Sequence, residues 1–364
     1  MIHALPVLHG LRERFPRATI DWLIASSHAP LLENHDKLDE LVLFDRHGLL
    51  AGRTGFASLV SFLRDLRSRR YDLVVDLQGL FRTGFFARVT GAPVRIGFRD
   101  AREGAWMFYT HYLARDPIDT HAVDRNYRVA ELLGFDDVPI TFRLPISDTV
   151  RAKTCELLRD RGVGDHEPLV VVAPGARWET KRWAPERFAE AIDGYSARVA
   201  VRTVLVGSRE EVSVCDAVIR ACRPESQLSQ SGPTNKSTMP VNLAGKTTLG
   251  CVAALIERSD LVLCHDSAAM HLAVALGRPL VCIVGPTNPH RTGPYRRLQD
   301  VLRLALDCSP CYFRRLAQCD YGHRCMTDLT SGVVADAVCA RLPNEAARTS
   351  AGVLPSGGQP IAPA

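Results

Sequence analysis

The second half of the chain repeats one pattern. Short, β-branched apolar runs stand at residues 169–173, 203–206, 261–264 and 280–284, each divided from the next by chain long enough for a helix. A run of four or five apolar residues without alternation has no polar face, so a strand built from it must be covered on both sides, as in parallel sheets. The amphipathic stretches 185–197, 249–257 and 270–276 carry the helical period and supply that cover. Repeated strand-helix units of this kind predict a doubly wound α/β sheet.

The first part follows the same grammar: a helix through Leu11, strands at 19–24 and 40–44, a helix at 56–68, a strand at 73–77 and a helix at 122–133. A chain of 364 residues is long enough for two domains. The polar, proline-containing stretch 138–147 is the expected boundary, giving domains 1–147 and 148–342. Residues 223–240 read as a solvated insertion and 343–364 as a disordered tail, both from their Ser, Pro, Thr and Gln content. The formal charge of +5 is small for this length and fits a local basic pocket for an anionic ligand, with no nucleic-acid surface. No apolar run approaches the ~18 residues of a membrane span, and the start MIHALPVLHGLRERF lacks the lead and cleavage site of a signal peptide. A cytoplasmic protein is expected, and its eleven cysteines are expected to be mainly reduced thiols.

Chemistry concentrates where strands end. In LVLCHDSAAMHLAVALGRPLVCIVGPTNP a buried strand gives way to Asp266, read as a helix N-cap, and to the small residues Ser267, Ala268 and Ala269 at the start of the helix. Exposed amides at such a start bind anions, and small side chains allow a phosphate or sugar close approach. As a cap alone Asp266 would stabilise the helix by about 0.5–2 kcal/mol. His271 lies one turn inside, a position open to packing or to the ligand. The next strand delivers Gly285, Pro286 and Thr287, the glycine permitting close backbone approach and the threonine offering a hydroxyl.

In VVVAPGARWETKRWAPERF the loop after the first apolar run holds Arg177 and Lys181, and Pro185 opens the following helix. Lys181 is placed to neutralise a departing diphosphate or, as a loop lysine, simply to be solvated. GSREE brings Glu210 or Glu211 toward the same rim, and NLAGKT supplies Asn242, Gly245 and Lys246. No strand is followed by GxGxxG and no GxxxxGK[ST] loop occurs, which removes the usual warrants for nicotinamide oxidoreductases and P-loop phosphotransferases.

The succession PGARWETKRW, LVGSREE, NLAGKT and HDSAAMHLAVALGRPLVCIVGPTNP resembles glycosyltransferase family 9, the heptosyltransferases of lipopolysaccharide. The likeness extends through IHALPVLHGLRERFP, VVDLQGLFRTG, GFRDAREGAWMFYTHYLARD and HAVDRN, so it spans residues 1 to about 340. It implies two facing Rossmann-like domains of GT-B type, the first binding the acceptor and the second an ADP-heptose donor. It further implies inverting transfer of heptose to the lipopolysaccharide inner core, by a cytoplasmic enzyme, peripheral at the inner membrane. By the same resemblance Lys181 takes the donor diphosphate and Asp266 the heptose hydroxyls, with the backbone of Ser267, Ala268 and Ala269, and with His271, Gly285 and Thr287, completing the donor side. Arg82, Arg99 and Arg102 match acceptor-side positions, where arginine suits bidentate binding of carboxylate and phosphate. Another nucleotide sugar, or a binding role without catalysis, are the alternatives a donor panel would separate.

The resemblance requires no cofactor. CSPCYFRRLAQCDYGHRCM groups Cys308, Cys311, Cys319 and Cys325 with His323, a spacing that fits a structural zinc site, yet free thiols are the preferred reading. The family's opening strand ends in Gly-Asp just ahead of the segment that matches IHALP here, and that aspartate is its proposed general base. The first domain is therefore expected to lack its N-terminal strand, and no residue of this sequence is assigned as the base.

Overall fold

The computed structural model describes residues 1–45, 52–115, 117–223 and 239–342. Most of the expected polar insertion and all of the expected tail lie outside the described residues. The chain divides into two compact units, His3–Thr141 and from Phe142 onward. The division falls ahead of Asp148 because the intervening stretch hides an apolar alternation: Phe142, Leu144 and Ile146 are all buried, and the Phe142 ring meets Tyr295 at 5.8 Å.

The first unit contains α1 (Leu5–Arg14), β1 (Asp21–Ala25), β2 (Glu40–Phe44), α2 (Gly52–Ser68), β3 (Leu73–Asp76), α3 (Phe81–Thr90), β4 (Val94–Phe98), β5 (His111–Leu113), α4 (Ala122–Tyr127) and α5 (Val129–Leu133). Its strands form two parallel sheets, β1-β2 and β3-β4-β5. Arg69 pins the starts of the first pair, donating to Asp21 at 3.2 Å and Glu40 at 2.7 Å, and Tyr71 OH donates to Asp21 at 2.6 Å. Phe44, Phe62 and Phe86 interlock at 5.1–5.7 Å between β2, α2 and α3. The single helix expected over 122–133 is two, because Glu131 N–H bonds back to Arg128 O and tightens the turn between them.

The second unit contains α6 (Asp148–Arg159), β6 (Leu169–Ala173), α7 (Pro185–Ser196), β7 (Arg202–Leu205), α8 (Val212–Ala221), β8 (Val241–Asn242), α9 (Leu249–Arg258), β9 (Leu261–His265), α10 (Ala268–Ala275), β10 (Leu280–Ile283), α11 (Pro289–Thr292), β11 (Val301–Leu302), α12 (Arg324–Thr327) and α13 (Ser331–Arg341). All its strands lie in one parallel sheet of order β11-β10-β9-β6-β7-β8. Every residue of β6, β9 and β10 is buried, as unbroken apolar runs demand. Each such Val, Leu or Ile is worth about 1.5–3 kcal/mol on burial. From β6 the chain winds outward through β7 and β8, then returns to the other side of β6 as β9 and winds outward again. The direction reverses between β6 and β9, and open α/β sheets bind ligands outside the carboxyl ends of strands at such a reversal.

Candidate functional site

Both strands at that reversal deliver a charged side chain to it. The loop leaving β6 turns once at Glu179–Lys181, and the Lys181 ammonium reaches Asp266, the residue directly after β9. Lys181 Nζ donates to Asp266 Oδ2 at 2.7 Å and to its backbone oxygen at 3.3 Å. Thr287, beyond the end of β10, donates its hydroxyl to the same Oδ2 at 2.8 Å, and Thr292 approaches it at 3.5 Å. The Lys181 and Asp266 side chains are only 15% and 6% exposed, so this is a sheltered ion pair and Lys181 is not a solvated loop lysine. Asp266 is also not the N-cap expected from the sequence. That position belongs to Ser267, in extended conformation, because the Asp266 carboxylate is turned away from the helix toward Lys181 and Thr287. Ser267 makes no side-chain capping bond, and α10 begins with exposed Ala268 and buried Ala269. His271 is half-buried in the first turn of α10.

The loop carrying Lys181 is held at both ends by one buried imidazole. His265, the last residue of β9, accepts from Trp183 N–H through Nε2 at 2.9 Å and directs Nδ1 at Gly175 O, 3.4 Å away. A carbonyl can only accept, so Nδ1 carries the hydrogen and the tautomer is set. Burial holds this ring at a pKa of about 4, below the ordinary 6.5, and keeps it neutral near pH 7. In the middle of the loop, two cations stand over Trp178, with Lys181 Nζ 4.6 Å and Arg314 Cζ 5.1 Å from its ring centre. Glu211 approaches so closely that a Cβ on Gly175 would fall 2.2 Å from Glu211 Oε1. Glu210 is exposed, while Asn242, the last residue of edge strand β8, donates to Asp216 on α8 and accepts from Lys246 through its backbone oxygen, and neither is bonded to Lys181 or Asp266.

The cysteine-rich segment backs this site. Thr180 Oγ1 donates to Phe313 O at 2.5 Å, His323 Nε2 donates to Thr180 O at 2.7 Å, and Leu316 N–H donates to Glu179. Cys311 and Tyr312 amides donate to Pro286 O, and Ser309 Oγ to Gly285 O. Gly285 was expected to admit a ligand, but the space over it is taken by α12: an added Cβ would lie 2.6 Å from Met326 Sδ and 3.0 Å from Cys325 Sγ. Cys308, Cys311, Cys319 and Cys325 line one small cavity with Phe313, Tyr321 and Arg324. Burial, and then the neighbouring thiols, push Cys325 up to about 11. All eleven cysteines are unbridged. Among the described residues no group of three or more His, Cys, Asp or Glu stands where it would hold a metal ion.

In the first unit Arg82 lies near the start of α3 with its guanidinium 5.0 Å from the Phe44 ring. Arg99 is exposed beyond β4, 5.9 Å from the Tyr112 ring, and Arg102 is exposed two residues after the carboxylate Asp100. The turn that leads into α3, just ahead of Arg82, is built on a buried acid that no sequence motif marked out. Asp76, at the end of β3, accepts from the Gln78 and Gly79 amides at 2.9 and 3.1 Å and from Tyr109 OH at 2.7 Å. Gly79, with φ of +62°, then accepts from Arg102 N–H through its carbonyl at 3.0 Å. Burial and the Asp76 charge raise the Tyr109 phenol, which stays protonated as the donor. Likewise His265 and Thr292 were not singled out, although His265 is the immediate neighbour of Asp266.

A parallel sheet with a charged pair at its reversal point, beside an open helix start, is a Rossmann-like arrangement, the architecture in which phosphorylated ligands commonly sit at strand ends. The model of glycosyltransferase family 9 (heptosyltransferase) matches residues 59–320, well over half of the chain, and the chain belongs to that family. It is 25% identical over 303 residues to the lipopolysaccharide core heptosyltransferase OpsX of Haemophilus influenzae, covering 82% of this chain and 80% of that protein. Lipopolysaccharide heptosyltransferase 3 of Escherichia coli is 29% identical, over 79% of this chain and 80% of that protein. The crystal structure of a family 9 glycosyltransferase from Veillonella parvula matches with a TM-score of 0.76 at 25% identity, covering 94% of this chain and 93% of its own. The protein is a glycosyltransferase with the fold class of GT-B enzymes.

Proposed function

We propose that the chain transfers heptose from ADP-heptose to the inner core of lipopolysaccharide, with inversion at the anomeric carbon and at the surface of the inner membrane. Family membership and relatives named as lipopolysaccharide heptosyltransferases support the substrate class. The observation that carries the site assignment is the sheltered Lys181–Asp266 pair at the β6/β9 reversal. An acceptor hydroxyl attacks the anomeric carbon, the bond from that carbon to the diphosphate oxygen breaks, and ADP leaves with the electron pair. The proton passes to a general base that we assign to no residue of this chain. Lys181 and the backbone of Ser267, Ala268 and Ala269 meet the negative charge that grows on the diphosphate, so no metal is routed through this step. Asp266 holds Lys181 in place and, with Thr287, offers acceptor atoms to heptose hydroxyls; His271 borders the same space. Arg82, Arg99 and Arg102 bind the acidic groups of the acceptor.

A donor panel on the purified protein tests this reading, using ADP-heptose, ADP-glucose and a UDP-sugar with a Kdo-containing acceptor. Turnover with ADP-heptose alone is expected, and Lys181→Ala should lower kcat/KM by about 10²-fold, as for loss of a preorganised charge partner. Faster turnover of another nucleotide sugar would replace the donor, and unchanged kinetics in Lys181→Ala would remove the site.

A further inference from the structure

The first unit carries a second surface with its own chemistry. Helix α3 packs against the 3-10 turn Arg102–Phe108, and from this pair Phe81, Phe85, Trp106 and Met107 stand 48%, 36%, 48% and 58% exposed. Scattered exposed apolar residues are ordinary in a soluble protein, but here they are grouped on two adjoining elements. The phenylalanines are also fixed: Phe81 and Phe85 meet the Phe108 ring edge-on at 5.3 and 6.3 Å. Arg88 is exposed on α3 and Arg102 at the head of the turn, with Arg82 over the Phe44 ring and Arg99 near Tyr112 on the flanks. One nearby acid is already paired, and the other, Glu103, meets only a neutral amide and offsets part of this charge. Asp100 is held by Arg125 at 2.6 Å, and Glu103 accepts from the Phe81 amide at 3.2 Å.

Rings and thioethers at headgroup depth, with guanidinium groups beside them, are the composition that binds anionic lipid interfaces. A second copy of this chain is a poorer occupant, because two-fold pairing of this face would set the arginine cluster against itself. We propose that the face formed by Phe81, Phe85, Trp106 and Met107 with their flanking arginines docks the protein on an anionic phospholipid bilayer. The proposal rests on the reading above in that its acceptor is lipid-linked: docking brings that acceptor to the arginines of the same unit. No helix among the described residues is long and apolar enough to cross a membrane, so attachment through this face is a matter of surface insertion.

Sedimentation of the full chain with vesicles decides it. The protein should pellet with vesicles containing phosphatidylglycerol, stay in solution with phosphatidylcholine alone, and be released by added salt. Trp106→Ser with Met107→Ser should weaken this binding about tenfold or more while leaving thermal melting unchanged, since both side chains are exposed. Leu132→Ser, an equally exposed apolar position on α5, should leave it unchanged. Failure to pellet with anionic vesicles, or equal binding by the double variant, would overturn the proposal. So would a dimer in gel filtration that the double substitution abolishes, which would give the face to a second copy. Transfer to a delipidated acceptor without vesicles reads the heptosyltransferase assignment separately: its loss would sink that assignment while pelleting still upheld docking.

Discussion

Asp266 and His265 are neighbours with opposite electrostatic tasks. The buried Asp266 carboxylate is satisfied by hydrogen bonds from Lys181 and Thr287. Removing one partner should therefore cost more than an exposed lysine would. Lys181→Met is expected to destabilise by roughly 1–3 kcal/mol, with part regained in Lys181→Met/Asp266→Asn, as read by denaturant unfolding. His265 must stay neutral, since a second ring proton would oppose Trp183 N–H. Its folded pKa of about 4 lies below the ordinary 6.5, so the stability it contributes is complete above about pH 6.5 and is lost as pH falls toward 4. The loss amounts to about 3 kcal/mol. Melting temperature should fall over that window, and His265→Asn should flatten this part of the profile; equal slopes in both proteins would contradict the assignment.

At the level of elements, close approaches set the site loops. A Cβ on Gly97 in β4 would stand 2.3 Å from the Tyr109 ring, whose hydroxyl holds Asp76. Gly97→Ala should therefore destabilise by about 1–3 kcal/mol through overpacking and raise KM for the acceptor with less effect on KM for the donor. The reverse selectivity is expected of His323→Ala, which removes the bond from the cysteine-rich segment to Thr180 and should raise KM for the donor several-fold, as initial rates would show. Strands β6, β9 and β10 were legible as unbroken apolar runs, because burial on both faces leaves no choice of residue. By contrast α3 was not, since FRTGFFARVT buries Phe86 and exposes Phe81 and Phe85, and the apolar period that marks a helix is lost.

In the whole molecule the apolar clusters follow the two units: one joins Phe188, Tyr195, Leu263 and Val338 in the second, while others join Ile96 with Phe135 and Phe44 with Phe86 in the first. Each unit thus has its own core, and residues 142–342 alone should fold and bind ADP, with Lys181→Ala weakening the affinity by titration calorimetry. An unfolded fragment would show that the second unit's core is insufficient by itself. The sequence by itself determined the sheet class, the strand ends at which chemistry collects, and the family, because buried parallel strands and tight ligand loops admit few residue types. It also named Lys181, Asp266 and Thr287 separately. Only the tertiary structure decided that Lys181 and Thr287 share one carboxylate oxygen of Asp266, that Ser267 rather than Asp266 stands at the N-cap position of α10, and that Met326 fills the space over Gly285. Those outcomes depend on residues brought together from separate strand ends and from α12, and contacts across such distances leave no local pattern in the chain to be read.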